Sequence, residues 1–257
     1  MSILTLFITA VAGANFYSLL NFWPLECQQL YGPNPHAVAR TVVAFGYSVA
    51  LGVILVNWGL SVFNGANREL LVLSSVLMTA GVGALAAVDQ NNPSLGIGMS
   101  FLGGLGVGGI IVPAAVILTI ISPDEVIATV TAITLSIRLI GGSIGYAIYF
   151  NVFENKLHDI IPTIVGTAVV KAGLPLAQVP QFITALVAQN TTAIAQVKGI
   201  TPAVLIAAQN AVKDSYVEGF KMIYYVSIAF GGAAIIASLF LGDIRKYMVD
   251  RVAVDIH

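Results

Sequence analysis

Charge is scarce in this chain: Asp, Glu, Lys and Arg together make 9% of its 257 residues, with 11 basic residues nearly balanced by 12 acidic ones. A soluble domain carries about a quarter charged residues, and a near-neutral balance offers no basic surface for nucleic acid. Cysteine occurs once, as Cys27, which excludes an internal disulfide and a cysteine-built metal site. The histidines, His36, His158 and His257, lie outside the apolar runs and share no ligand spacing, so no metal site is expected. There is no nucleophile-and-base constellation, no phosphate-cradling P-loop and no HExxH. Neither an enzyme nor a cofactor is therefore expected. What the chain has instead is hydrophobicity, at 58% of its residues.

A helix needs about 20 mostly apolar residues to cross a bilayer. Six segments qualify: 3–25, 38–61, 70–88, 95–121, 126–153 and 222–242. The first lacks the basic flank and cleavage site of a secretory signal, and Phe16, Tyr17, Phe22 and Trp23 crowd its end as an interfacial belt would. Trp23-Pro24 is expected to mark the interface and the exit from that helix. The expected fold is all-α and integral to the membrane, a six-helix transmembrane bundle over residues 1–257 with both termini on one side. Arg68, Arg245, Lys246 and Arg251 would share that side, so the positive-inside rule places it in the cytoplasm. Residues 154–221 then form a long extracellular loop carrying the sequon Asn190-Thr191-Thr192, with Asn190 the candidate glycosylation site. Within it, Thr201-Pro202 reads as an N-cap and first-turn proline. It is followed by an amphipathic helix near 202–217, expected to lie on the outer surface.

The run from Leu95 to Ile121 is uncharged and glycine-rich. Gly96, Ser100, Gly104 and Gly108 recur every four residues and stack on one helical face where a neighbouring backbone can come close. In water each glycine would cost roughly 1 kcal/mol against alanine, but lipid makes every backbone group bond internally and so enforces the helix. Such a stripe is a packing seam, or one that also slides. Gly141 and Gly145 make a second small-xxx-small pair one turn beyond Arg138.

Arg138 stands well inside its span, and an intramembrane arginine costs at least roughly 2.5 kcal/mol and normally faces a cavity or a partner. No span shows a central Asp or Glu, because Glu26 and Asp89 fall at helix ends. Either Arg138 faces water or substrate, or its partner belongs to another protein segment. In the first span Asn15, Ser18 and Asn21 are expected to progress along one side beside Tyr17, a surface for an amphipathic ligand or for interhelical hydrogen bonds. Asn15, Tyr17, Asn21 and Arg138 are the candidate substrate contacts. Asn34-Pro35 has no second Asn-Pro copy in the chain, which argues against a water channel.

Gly104-Leu105-Gly106-Val107-Gly108-Gly109 with Pro113, then Ser122-Pro123-Asp124-Glu125, then Ser136-Ile137-Arg138-Leu139-Ile140-Gly141-Gly142-Ser143-Ile144-Gly145 together resemble the late helices of fourteen-span drug:proton antiporters of the major facilitator superfamily. Asn15-Phe16-Tyr17, Phe22-Trp23-Pro24, Tyr31-Gly32 and Leu239-Phe240-Leu241-Gly242-Asp243-Ile244 look more narrowly like the fungal trichothecene efflux pump group. The resemblance implies the C-terminal half of such a transporter, three helices followed by three in inverted topology. It implies efflux of small amphipathic substrates from a fungal cell by alternating access, proton-coupled in the intact family, at the plasma membrane. Gly59, Gly65 and Arg68 occupy the loop where the superfamily carries a glycine, acidic and basic signature, here without its acidic member. The resemblance implies that the proton-coupling carboxylate belongs to an N-terminal half outside these six spans. The chain is therefore expected to be a truncated or half-size form whose partners are the bilayer, a small substrate and a missing half or second copy. The alternative is a non-transporting structural or regulatory subunit that pairs with other helices.

Overall fold

A computed structural model describes residues 2–32, 34–63, 66–89, 92–188, 190–242 and 244, without the side chains of Ala37 and Thr191. Gly65, Asp243, Arg245, Lys246, Arg251 and His257 lie outside the described residues. The described chain is all helical, in the order α1 Ser2–Tyr31, α2 Pro35–Val62, α3 Asn67–Ala84, α4 Pro93–Ile111, α5 Pro113–Ile120, α6 Ile127–Lys171, α7 Val179–Val187, α8 Thr191–Ala195 and α9 Pro202–Leu239. Six helical segments are long and apolar enough to cross a membrane: α1, α2, α3 with the turn after it, α4 with α5, α6, and α9.

Proline explains two local features. Pro113 removes one backbone donor and crowds the preceding turn, and the fourth crossing segment is divided there into α4 and α5. Pro24 instead lies inside α1, which continues to Tyr31, and Trp23 is fully buried. Trp23-Pro24 is thus neither a helix exit nor an interfacial anchor. Bundle helices tolerate such a proline because neighbouring groups satisfy the carbonyl it frees. Asn34-Pro35 is a helix start: the Asn34 side chain accepts from the His36 amide at 3.1 Å, with the proline in the first turn.

The chain divides into two compact units. The first contains Met1–Phe150 and Ile223–His257. Within it α4 packs between α2 and α3. A Cβ on Gly108 or Gly104 would strike the Val49 carbonyl oxygen or the Ser48 hydroxyl of α2, and one on Gly103 or Gly106 would meet Val82 or Met78 of α3. The other end of the sequence answers in kind. On α6, Gly141 and Gly145 sit against Ala10 and Ala14 of α1, while Gly13 of α1 sits against the Arg138 carbonyl. The first helix of each three-helix set therefore crosses the second helix of the other set, the reciprocal pattern of inverted repeats.

The C-terminal part of α9 closes the unit on α3. Ser75 and Ser238 hydroxyls are 3.1 Å apart, and Gly231 faces Thr79. Asn67 donates to the Gly242 carbonyl at 2.9 Å and accepts from the Ile244 amide at 3.3 Å. Leucine at position 67 would orphan both backbone groups, at about 1–3 kcal/mol. Asn67→Leu is therefore expected to speed amide exchange at Ile244 by about five- to a hundredfold by the usual 1.4 kcal/mol-per-decade conversion, and unchanged exchange would show the clamp to be unimportant.

The second unit is Asn151–Met222. The segment 154–221 is largely helical: α6 continues to Lys171 and α9 begins at Pro202. At 45 residues α6 is about 68 Å long, more than twice the hydrocarbon thickness. Its continuation carries Glu154, Lys156, His158 and Asp159. Val165, Val169, Phe182, Val197, Val204 and Ala208 build this unit's own apolar core. Thr201 caps α9 through the Val204 amide at 3.3 Å, and no proline interrupts the helix afterwards. The amphipathic stretch near 202–217 and the last apolar run are consequently one helix. Asn190 is exposed and caps α8 by accepting from the Ala193 amide at 3.0 Å.

Candidate functional site

The polar residues of the bundle concentrate on α1, and the structure divides those read from the sequence into two sets. Asn15 and Ser18 are fully buried, whereas Asn21 is exposed and returns its amide to the Tyr17 carbonyl at 2.9 Å. The six steps from Asn15 to Asn21 turn a helix through about 600°, leaving the two side chains about 120° apart. They do not share a side. Tyr17 is half-buried, packs against Gly142 of α6 and meets Phe16 edge-on with ring centroids 5.9 Å apart.

Asn15 anchors a chain of aromatic contacts. Its carbonyl oxygen accepts from the Tyr149 hydroxyl of α6 at 2.9 Å. The Tyr149 ring meets Phe22 and Phe230 edge-on, at 6.5 and 5.9 Å between centroids, and Phe22 stacks on Tyr146 at 5.5 Å. Phe230 also lines an apolar groove of about 400 Å³ formed by α1, α6 and α9, with Phe7, Val11, Ala14, Ile144 and Gly145 among its walls. Among the described residues the Asn15 amide nitrogen and the Ser18 hydroxyl have no hydrogen-bond partner. A buried polar group left unpaired costs about 1–3 kcal/mol, so each of these two atoms is unfavourable where it stands.

Arg138 is half-buried on the same helix as Tyr149, and among the described residues no carboxylate lies within ion-pair distance of it. Lys221 and Glu218 form an ion pair on α9 at 2.6 Å. Of the small-residue ladder, Gly96 faces the Trp23 ring of α1 while Gly104 and Gly108 face α2, and Ser100 is buried with its hydroxyl on the Ile97 carbonyl at 3.0 Å.

Glu26 lies deeper in the packing than its position in the sequence suggests. It is 1% exposed, and the buried Tyr224 hydroxyl of α9 donates to its carboxyl Oε2. The expectation of a bundle without a buried carboxylate is thereby overturned. The physical reason is that α1 does not end at Pro24, so Glu26 is carried into the packing between α1 and α9. Its neighbours Trp23 and Cys27 are also fully buried, and no signal nearer than Tyr224 marks it.

Residues 2–257 match the family described as fungal trichothecene efflux pump (TRI12). The chain belongs to that family. Among curated relatives, trichothecene efflux pump TRI12 of Fusarium sporotrichioides is 23% identical over 250 residues, and that of Trichoderma arundinaceum 25% over 254. Each alignment covers 96% of this chain and 42% of the relative, so the chain spans less than half the length of these proteins. The MFS-type transporter prx5 of Penicillium rubens is 31% identical over 115 residues, 45% of this chain and 20% of that one. Family membership and six crossing-length helices make this a multi-pass membrane protein.

Proposed function

We propose that the chain is the C-terminal six-span half of an efflux transporter that exports small amphipathic molecules by alternating access, coupled to proton entry. The observation that carries this reading is the unsatisfied Asn15 amide and Ser18 hydroxyl, set on α1 next to an apolar groove and an aromatic run. An apolar ligand with one or two acceptor oxygens matches that chemistry. Tyr17 and Asn21 lie on the flank of the same helix. Arg138 gives the cavity a positive charge or pairs with an acidic group in a second set of spans, on the same polypeptide or another. The glycine crossings of α1 on α6 and α4 on α2 allow these helices to roll at close range.

Apolar side chains stand exposed along α2 and α6, among them Tyr47, Ile54, Trp58, Leu139 and Ile140. A second six-span half, or a second copy, would cover them. Both termini face the cytoplasm of a plasma-membrane protein, Asn190 faces outside, and the relatives' trichothecenes illustrate the substrate class. Vesicles holding the chain together with the N-terminal half of a full-length relative are expected to export an amphipathic dye down an inward proton gradient, and vesicles holding either alone are not. Export by this chain alone would remove the need for a second half. Correct insertion of both halves with no export would end the transport reading.

A further inference from the structure

We infer that Glu26 and Tyr224 form a proton-binding latch between α1 and α9. The inference deepens the transport reading, for which it names the proton site on this half, but the latch itself stands on geometry alone. Both side chains are buried, and they come from helices far apart in sequence that meet through this hydrogen bond. Among the described residues no lysine, arginine or histidine lies within ion-pair distance of Glu26. The titratable groups near it are Cys27 and Tyr31 on α1 and Tyr224 on α9; the Tyr31 hydroxyl in turn donates to the Asp89 carbonyl at 3.1 Å. None of these supplies a positive charge.

A carboxylate packed among uncharged groups is costly to leave ionised, whereas the acid is not. Gain or loss of one proton on Glu26 therefore changes the energy of the α1–α9 contact. In the acid form the pair holds the two helices together. When the proton leaves to water at the nearby end of α1, the phenol keeps its own hydrogen, and the bare carboxylate favours a conformation in which it is hydrated. Glu26 lies five residues from the last residue of α1, Tyr31, and so about 7 Å from that end. The exchange is thereby placed on the side of the bundle away from Ser2. Trp23, one turn earlier on α1, keeps its indole N–H without a partner, so this end of α1 has spare polar capacity for water in the opened form.

The test is infrared difference spectroscopy of the full chain in lipid during a pH titration. Wild type is expected to show a carboxylic-acid carbonyl band that disappears on alkalinisation. Glu26→Gln should abolish the band, and Tyr224→Phe should move it to higher frequency by removing the hydrogen bond. Identical titrations in wild type and Glu26→Gln would overturn the proton site, whether or not the chain transports anything. With the complementary half present, Glu26→Gln is expected to lose gradient-driven export yet keep substrate exchange at equal concentrations. Full gradient-driven export by that variant would overturn its coupling role while leaving the transport reading intact.

Discussion

Gly106→Ala is expected to destabilise the bundle by about 1–3 kcal/mol, the usual cost of forcing a methyl into a packed interior, while Gly98→Ala in the same helix leaves it unchanged or up to about 1 kcal/mol more stable. The two glycines differ only in what surrounds them. A Cβ on Gly106 would strike the Met78 amide nitrogen and lie 2.6 Å from the Ser74 carbonyl oxygen, both backbone atoms of α3. Backbone cannot turn aside as a side-chain tip can, so α3 and α4 would have to separate. Gly98 has no atom within 4 Å of the same position and would simply gain alanine's helix preference. Thermal melting of the two variants in one detergent measures the contrast. Equal shifts would mean that α3 and α4 are not this close.

That contrast also shows how far the sequence can be read. The four-residue spacing of Gly96, Ser100, Gly104 and Gly108 marks one smooth face, but it does not say which helix arrives there. Trp23 of α1 meets the first, Ser48 and Val49 of α2 meet the last two, and α3 takes a different face through Gly103 and Gly106. Six spans are legible because lipid demands about 20 apolar residues for each. Their ends are less so. Glu26 looks like a boundary because charge normally ends a span, yet Tyr224, 198 residues away, keeps it inside. No local pattern encodes a partner at that distance.

The α1 polar set is divided for a different reason. The divergence of Asn15 and Asn21, about 120° around the helix, follows from helix geometry alone at about 100° per residue. What needs the structure is Tyr149, whose hydroxyl occupies the Asn15 carbonyl and leaves the amide nitrogen free. The second unit shows a third kind of gap. Glu154, Lys156, His158 and Asp159 end the apolar run without ending the helix, because charged residues have adequate helix propensity once outside lipid. Hydropathy marks the end of the apolar run there, and the helix continues beyond it to Lys171.

Trp23→Ala is expected to cost about 3–5 kcal/mol, the range for emptying a buried tryptophan site. The ring is fully buried, and its neighbour across the helix pair is Gly96 of α4, where a Cβ would strike ring atom Cη2 and lie 3.1 Å from Cζ2 and Cζ3. The glycine and the indole are therefore one fitted contact, and their substitutions must be coupled. Gly96→Ala in the native background should cost about 1–3 kcal/mol because the ring has no free space to move into. In the Trp23→Ala background the same change meets an empty cavity and is expected to be close to neutral, or to recover part of the loss. A double-mutant cycle on the melting transition reads the coupling, expected to exceed about 1 kcal/mol for groups in contact. Trp23→Phe refines the test. The indole N–H has no partner, so phenylalanine removes an unsatisfied donor along with part of the ring, and its cost should be well below that of alanine. A phenylalanine variant as unstable as the alanine one would mean that the N–H is satisfied in the folded protein, with a water or a lipid headgroup reaching α1 at this depth.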